Sequence, residues 1–296
     1  IGTGGRDLSA EVGGITMSQG IRYLEGDERT KVIVLVSKPP APATAEKIFA
    51  QVRELTKPVV IFFLGGDQRQ IREAGAYAAA TLEEAALLAL KLARGERIPA
   101  ENLVQRWKAE LAPVAAAERA RLSPGQKYVR GLFCGGTHNE EAILLLQEMV
   151  PELYANVSFG KCRKLSSPHA SRKNTLVDMG DEEFTRGKPH PVIDPSILKD
   201  RLLKEGSDPE VAVILFDLLL GYGAHPDPAA TIEETLAALR RKAEEEGRYL
   251  SIVASLCGST RDPQGFADQK RRLEARGVRV LPSSARAAIV SGLIIS

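Results

Sequence analysis

The chain has 296 residues, of which 44% are hydrophobic and 26% charged, with 40 Lys and Arg against 38 Asp and Glu. That length allows two separately cored domains, and the near balance of charge excludes broad electrostatic attraction to nucleic acid or a membrane surface. No apolar run approaches the roughly 20 residues of a membrane-spanning helix, and the three cysteines, Cys134, Cys162 and Cys257, cannot all pair and lack metal-type spacing, so a soluble protein of a reducing cytoplasm is expected.

The first segment, GTGGRDLS, places Gly4 and Gly5 where the backbone turns sharply and approaches a ligand closely, and Arg6 offers a planar fork to phosphate or carboxylate. The alternative is a tight connection in which Arg6 pairs with Asp7 or another acid. An amphipathic stretch follows, then the strand VIVLV, the helix ATAEKIFAQVREL, the strand VVIFFL and the helix TLEEAALLALKLA. Residues 96–127 are rich in Ala and charge and are broken by Pro99, Pro113 and Pro124. Their weak helical period predicts short packed helices, a connector between a domain over 1–95 and one over 128–296. Trp107, the only tryptophan, is expected to anchor this connector; the alternative is a lid over a cleft.

The strand VRGLFC then runs into GGTHNEE and a long apolar-periodic helix. Backbone N–H groups at such a helix start favour an anion, which makes Gly135, Gly136 and Thr137 candidate phosphate or substrate ligands. His138 either adds a donor or merely faces solvent in the capping turn. Lys161, Arg163, Lys164, Arg172 and Lys173 cluster in a loop that holds no acid and reads as solvated. Two His-Pro pairs follow: His190 with Asp194, and His225 with Asp227. Flanking prolines stiffen these loops, so the imidazoles suit acid–base chemistry or carbonyl polarisation, the alternative being rigid turns with surface histidines. They come from separate loops without helical spacing, so no metal is expected.

Between the pairs, Asp217 interrupts the apolar strand VAVILF. A carboxylate there needs partners, either as an acceptor for loop N–H groups or as part of a site. The helix TIEETLAALRRKAEEEG is predicted to open on a capping box of Thr231 and Glu234. The strand SIVASL ends the series of apolar strands.

These segments form two unequal copies of one α/β unit. Their strands are short, β-branched and nearly continuously apolar, as in parallel sheets covered by helices on both faces, and ligands bind such sheets beyond the carboxyl ends of the strands. The second copy carries an extra strand, glycine turn and helix, KYVRGLFCGGTHNEEAILLLQEMV, with no counterpart in the first. The first domain is therefore expected to be cut short at its start, leaving an open strand slot that invites association or disorder; otherwise the first copy is simply a shorter variant.

Taken together, GTGGRDLSAEVGG, VIVLVSKPPAP, VVIFFLGGD, VDMGDEEFTRGKPHPVIDPS and VAVILFDLLLGYGAHPDP resemble the FdrA family, relatives of the succinyl-CoA synthetase α subunit, over nearly the whole chain outside the connector. The resemblance implies two flavodoxin-like, doubly wound parallel-sheet domains. It also implies a preceding CoA-binding domain in full-length relatives, so that CoA is possible there while no cofactor is required within this stretch. In the synthetase relatives a histidine ahead of Ala-Gly-Ala carries a phosphoryl group. Here REAGAY puts Glu73 at that position, which argues against the relay.

The resemblance further implies a subunit of oxamate carbamoyltransferase, acting with partner subunits on oxalurate and phosphate to give oxamate and carbamoyl phosphate in purine-derived allantoin breakdown. In that reading Gly135, Gly136 and Thr137 hold phosphate, with Arg6 as a helper. His190 or His225 polarises the carbonyl, and Asp217 orients that histidine. The alternatives are an acyl-CoA synthetase without the phosphohistidine and a non-catalytic scaffold subunit.

Overall fold

The computed structural model describes residues 1–98 and 101–296; Pro99, expected to break the connector, lies outside them. The chain divides into two compact units, Ile1–Val104 and Gln105–Ser296.

The first unit runs through α1 (Ile15–Gly26), β1 (Ile33–Ser37), α2 (Pro42–Arg53), β2 (Val59–Phe63), α3 (Gln68–Glu73), β3 (Tyr77–Ala78) and α4 (Leu82–Ala93). Its three strands are parallel, in the order β1-β2-β3. Ile33, Leu35, Ile61 and Phe63 share a core with Met17 and Ile21 of α1 and Ile48 and Phe49 of α2. The opposite face of β1 is different from what its apolar run predicts. Val34 and Val36 are exposed there, and among the described residues β1 pairs only with β2. The edge of β1 away from β2 is thus unpaired among the described residues.

The second unit comprises α5 (Leu103–Arg119, its first two residues preceding the division), β4 (Tyr128–Phe133), α6 (Gly136–Leu146), β5 (Leu153–Ala155), β6 (Arg163–Lys164) and β7 (Asn174–Asp178). It continues with α7 (Glu182–Thr185), α8 (Ser196–Gly206), β8 (Val211–Leu219), α9 (Pro228–Glu245), β9 (Ser251–Cys257), α10 (Phe266–Ala275), β10 (Arg279–Leu281) and α11 (Ser284–Ile295). All seven strands are parallel, in the order β10-β9-β8-β4-β7-β5-β6. Every residue of β8 but the last is buried, as a strand with a neighbour on each side and helices on both faces requires. Among the described residues no helix is long and apolar enough to cross a membrane.

Two local expectations fail for identifiable reasons. The connector forms one helix, α5, with Pro113 inside it, rather than several short ones. Trp107, Leu111, Ala115 and Glu118 fall on a single buried face, and burial of that stripe outweighs the proline. Glu118 accepts hydrogen bonds from Tyr249 Oη at 2.8 Å, Ser251 Oγ at 2.7 Å and Arg279 Nη2 at 2.7 Å, which attaches α5 to the second unit. Trp107 is buried under the Arg286 guanidinium, a packing anchor rather than a lid.

The second failure is the capping box. Helix α9 starts three residues before Thr231, because Asp227 accepts from Ala230 N and Pro228 supplies a first residue with its φ already set. Thr231 lies inside the helix and its hydroxyl donates to Pro228 O.

Candidate active site

The parallel arrangement brings the carboxyl ends of β4, β7, β8 and β9 to one rim of the larger sheet. Strand β4 stops at Phe133, and Cys134, Gly135 and Gly136 lead directly into α6. Intrahelical bonding begins with Asn139 N donating to Gly135 O, so the N–H groups of Gly136, Thr137 and His138 precede the first helical bond. Space dictates both glycines. A Cβ on Gly135 would lie 3.0 Å from Asp217 Oδ2, and one on Gly136 would lie 2.7 Å from Asp178 Oδ2.

Asp217 organises this turn. Its side chain is fully buried, and its Oδ1 accepts from Cys134 N at 2.6 Å while Oδ2 accepts from Gly135 N at 3.1 Å. The same Oδ2 lies 2.8 Å from His138 Nδ1. Burial pulls the His138 pKa down, but the Asp217 carboxylate hydrogen-bonded to the ring, with a smaller contribution from Cys257, outweighs it and pushes the ring up to about 10. His138 is therefore an imidazolium at neutral pH, placed at the positive end of α6. The expectation that Asp217 orients His190 or His225 is corrected: its imidazole partner is His138, which the next turn of chain after Gly136 delivers.

His190 sits on the same rim by another route. A Cβ on Gly180 would lie 2.7 Å from His190 Nε2, 3.1 Å from Asp178 Oδ1 and 3.1 Å from Cys134 O, so the imidazole closes over the turn after β7. Its Nδ1 accepts from Val192 N at 3.3 Å. His225 is tied to that loop, donating from its backbone N to Val192 O at 2.8 Å, and its Nδ1 accepts from Asp227 N at 3.0 Å. Asp227 itself caps α9 and pairs with Arg272 at 2.8 Å, and Asp194 caps Ser196, so both carboxylates serve the loops that carry the histidines. Among the described residues no three His, Cys, Asp or Glu side chains gather to hold a metal ion.

Three of the five basic residues of the loop pair with acids outside it. Lys161 pairs with Glu148 at 2.7 Å, Arg163 with Glu152 at 3.2 Å, and Lys173 with Glu152.

In the first unit, Gly4, Gly5 and Arg6 are exposed, and no strand precedes them among the described residues. The Asp7 carboxylate, one of the acids expected to pair with Arg6, accepts instead from Thr16 N at 2.9 Å and Met17 N at 2.8 Å. It thereby substitutes for the side-chain cap that Gly14 cannot provide to α1. A groove of about 410 Å³ lies instead beyond β1 and β2, walled by Pro39, Pro42, Phe49, Phe63, Asp67 and Ile71. Glu73, at the end of α3, pairs with Arg69 at 2.8 Å in solvent.

The residue that the sequence reading did not place in a catalytic role is Cys257. It is the exposed cysteine, at the end of β9, two residues beyond Ser255, which the β8–β9 register sets opposite Asp217. A signal was present: Cys257 stands immediately beyond the apolar run SIVASL, at a strand end.

Residues 132–294, more than half of the chain, match the CoA-ligase family. Over 293 residues the chain is 41% identical to the uncharacterized protein YahF of Escherichia coli K12, with 98% of this chain and 56% of that protein covered. It thus spans about half the length of that curated relative. Among solved structures, the dinucleotide-forming acetyl-coenzyme A synthetase 1 of Ca. Korarchaeum cryptofilum, in complex with phosphate and ADP, is 14% identical over 94% of this chain and 55% of that one, with a TM-score of 0.35. A Pyrococcus horikoshii OT3 protein is 12% identical over 94% and 55%, with a TM-score of 0.31. Superpositions this loose bear on neither arrangement nor chemistry.

Proposed function

The chain belongs to the CoA-ligase family, and on that premise we propose that its second unit binds the phosphate of an acyl phosphate at the Gly135–Thr137 turn, as part of an enzyme that forms or cleaves acyl-CoA. The observation that carries this reading is the His138–Asp217 pair beside three N–H groups that precede the first bond of α6. Asp217 is neutralised by the imidazolium it holds, so the turn presents a cation and a helix start to an incoming anion. His190, over the Gly180 turn, supplies a second imidazole for the acyl carbonyl.

A carbamoyl-transferring activity of the FdrA type is the second reading. It is favoured by Glu73, which occupies the relay position and is engaged with Arg69; a carboxylate does not form the phosphoramidate that a histidine relay needs. Carbamoyl phosphate is itself a mixed anhydride of phosphate and would use the same turn. Calorimetry with CoA, inorganic phosphate, carbamoyl phosphate and oxamate separates the two. Binding of CoA and phosphate supports the first, binding of carbamoyl phosphate and oxamate without CoA supports the second, and no heat from any phosphate-bearing ligand overturns both.

A further inference from the structure

We propose that Tyr222 is a substrate-covering residue, whose ring closes over the carbonyl-bearing end of an acyl or carbamoyl phosphate held at the Gly135–Thr137 turn and so selects the substituent on that carbonyl. Tyr222 is 93% exposed, the most exposed large hydrophobic side chain among the described residues. A ring left in water adds nothing to the stability of the fold. The loop that carries it, by contrast, is held firmly. Gln264 is buried, and its Oε1 accepts from Gly221 N at 3.1 Å while its Nε2 donates to Gly221 O at 2.7 Å and to His225 O at 3.1 Å. Gln269, also buried, donates to Asp227 at 2.9 Å. Two buried glutamines thus fix both ends of residues 221–227 and leave the tip to itself. Gly221 stands at a φ of 131°, a region open to glycine, and Gly223 follows, so the tyrosine sits between the two residues with the widest choice of backbone angles. A fixed base with a free tip is a short hinge.

The loop lies where a cover is needed. It leaves β8 just beyond Asp217, whose carboxylate holds Gly135 N. Farther along, His225 N donates to Val192 O at 2.8 Å, and Val192 N donates in turn to His190 Nδ1 at 3.3 Å. In the sheet β4 stands between β8 and β7. The loops that follow β8 and β7 are therefore joined on either side of the carboxyl end of β4, where the Gly135–Thr137 turn begins. Tyr222 belongs to the segment that links Asp217 with the His190 loop, and Ile193, 55% exposed, adds a second apolar side chain to the joined loops. The first copy has nothing comparable. It follows β1 with Lys38, Pro39 and Pro40, and prolines fix a backbone that glycines would release.

The groups already assigned to the turn are polar. N–H groups and the His138 imidazolium meet the phosphate and His190 meets the carbonyl, which leaves the substituent of a bound mixed anhydride facing water. An aromatic ring closing from the rim excludes that water, and its contact with the substituent discriminates by size and shape. Inorganic phosphate has no such end and gives the ring nothing to cover.

The ligand class rests on the proposed function, and the test separates the two. The whole chain is nitrated with tetranitromethane, alone and with acetyl phosphate, carbamoyl phosphate or inorganic phosphate, and modified tyrosines are mapped by mass spectrometry. Tyr222 is expected to react first in the free chain, at least about fivefold more slowly with either mixed anhydride, and within about twofold of the free rate with inorganic phosphate. Calorimetry on variants reads the same contact. Tyr222→Ala should weaken the mixed anhydrides by about five- to tenfold and leave inorganic phosphate unchanged, and Tyr222→Phe should restore the affinity. Urea midpoints of both variants should equal that of the unaltered protein, as expected for an exposed side chain. Mixed anhydrides that bind but alter neither the nitration of Tyr222 nor their affinity for Tyr222→Ala overturn the covering role and leave the proposed function standing. If neither mixed anhydride nor inorganic phosphate binds the unaltered chain, the proposed function falls and this role with it.

Discussion

Asp217 and His138, 79 positions apart in sequence, are joined by a 2.8 Å contact between Oδ2 and Nδ1 at the point where β4 hands over to α6. The strand that supplies the carboxylate and the helix that supplies the imidazole are brought together by the β4–β8 pairing, so this contact depends on the sheet being complete. It fixes the direction of the ring and holds the Cys134–Gly135 backbone at once.

Replacing Asp217 with Asn leaves three donors facing one remaining acceptor oxygen and an amide NH2. The expected cost is about 1–3 kcal/mol of stability, the penalty of an unmet buried donor, read as a lower midpoint in urea. The His138 ring, deprived of its carboxylate, should titrate well below about 10, which proton NMR of the imidazole would follow. An unmoved titration would mean that Asp217 is not what holds the ring charged.

The same pair predicts how stability depends on pH. His138 has its folded pKa raised to about 10 from an ordinary value of 6.5, so its contribution is fully present below about pH 6.5 and is lost as pH rises through about 10. Besides Asp217, the titratable groups around this turn are Cys257, Cys134 and Asp178. Comparing urea midpoints of the unaltered protein and His138→Gln, the gap should be widest at or below about pH 6.5 and shrink toward pH 11 by roughly the full contribution of the pair. A gap that stays constant over that range contradicts a charged ring.

Gly136→Ala places a methyl 2.7 Å from Asp178 Oδ2, and Asp178 also accepts from Gly180 N at 2.9 Å, so the neighbour has little room to withdraw. A loss of about 1–3 kcal/mol is expected from overpacking. Any rise in melting temperature that inorganic phosphate gives the unaltered protein should disappear in the variant. Retention of that rise would place phosphate elsewhere.

The true start of α9 can be tested directly. Asp227→Ala removes the cap and the Arg272 pairing and should cost about 1–2 kcal/mol, whereas Thr231→Ala should stay within about 0.5–1 kcal/mol. Chemical denaturation of both variants checks the order.

Glu118→Ala should be among the costlier single changes, about 3 kcal/mol or more, because it strands Tyr249, Ser251 and Arg279 around an emptied acceptor site. Thermal unfolding followed by Trp107 fluorescence reports it, since Trp107 lies on the same buried face of α5.

Where the fold was legible, period and composition carried it. The four apolar runs became β1, β2, β8 and β9, and Gly135–Gly136 became the strand-to-helix turn, because short β-branched runs and glycine before a helix have few alternative structures. What escaped was non-local. Asp217 was recognisable as needing partners, but nothing in its neighbourhood names His138, and the His-Pro motifs drew attention to His190 and His225 instead. Their prolines stiffen the loops, yet each Nδ1 is spent as an acceptor within its own turn. In β1 the exposed Val34 and Val36 contradict its uniformly apolar spelling. Single-helix α5 was hidden by Pro113 and by the prolines flanking it in sequence, since the stripe from Trp107 to Glu118 becomes decisive only with β9 and β10 beneath it.

The attachment of α5 decides how the larger sheet can be excised for separate study. A clone that opens at Tyr128, where the strand pattern of the second copy starts, would discard the helix and bare Ser251 and Arg279 to water. Beginning the reading frame ahead of Leu103 keeps Trp107 and Glu118 with the surface they seal, and gives the isolated half its best chance of folding unaided.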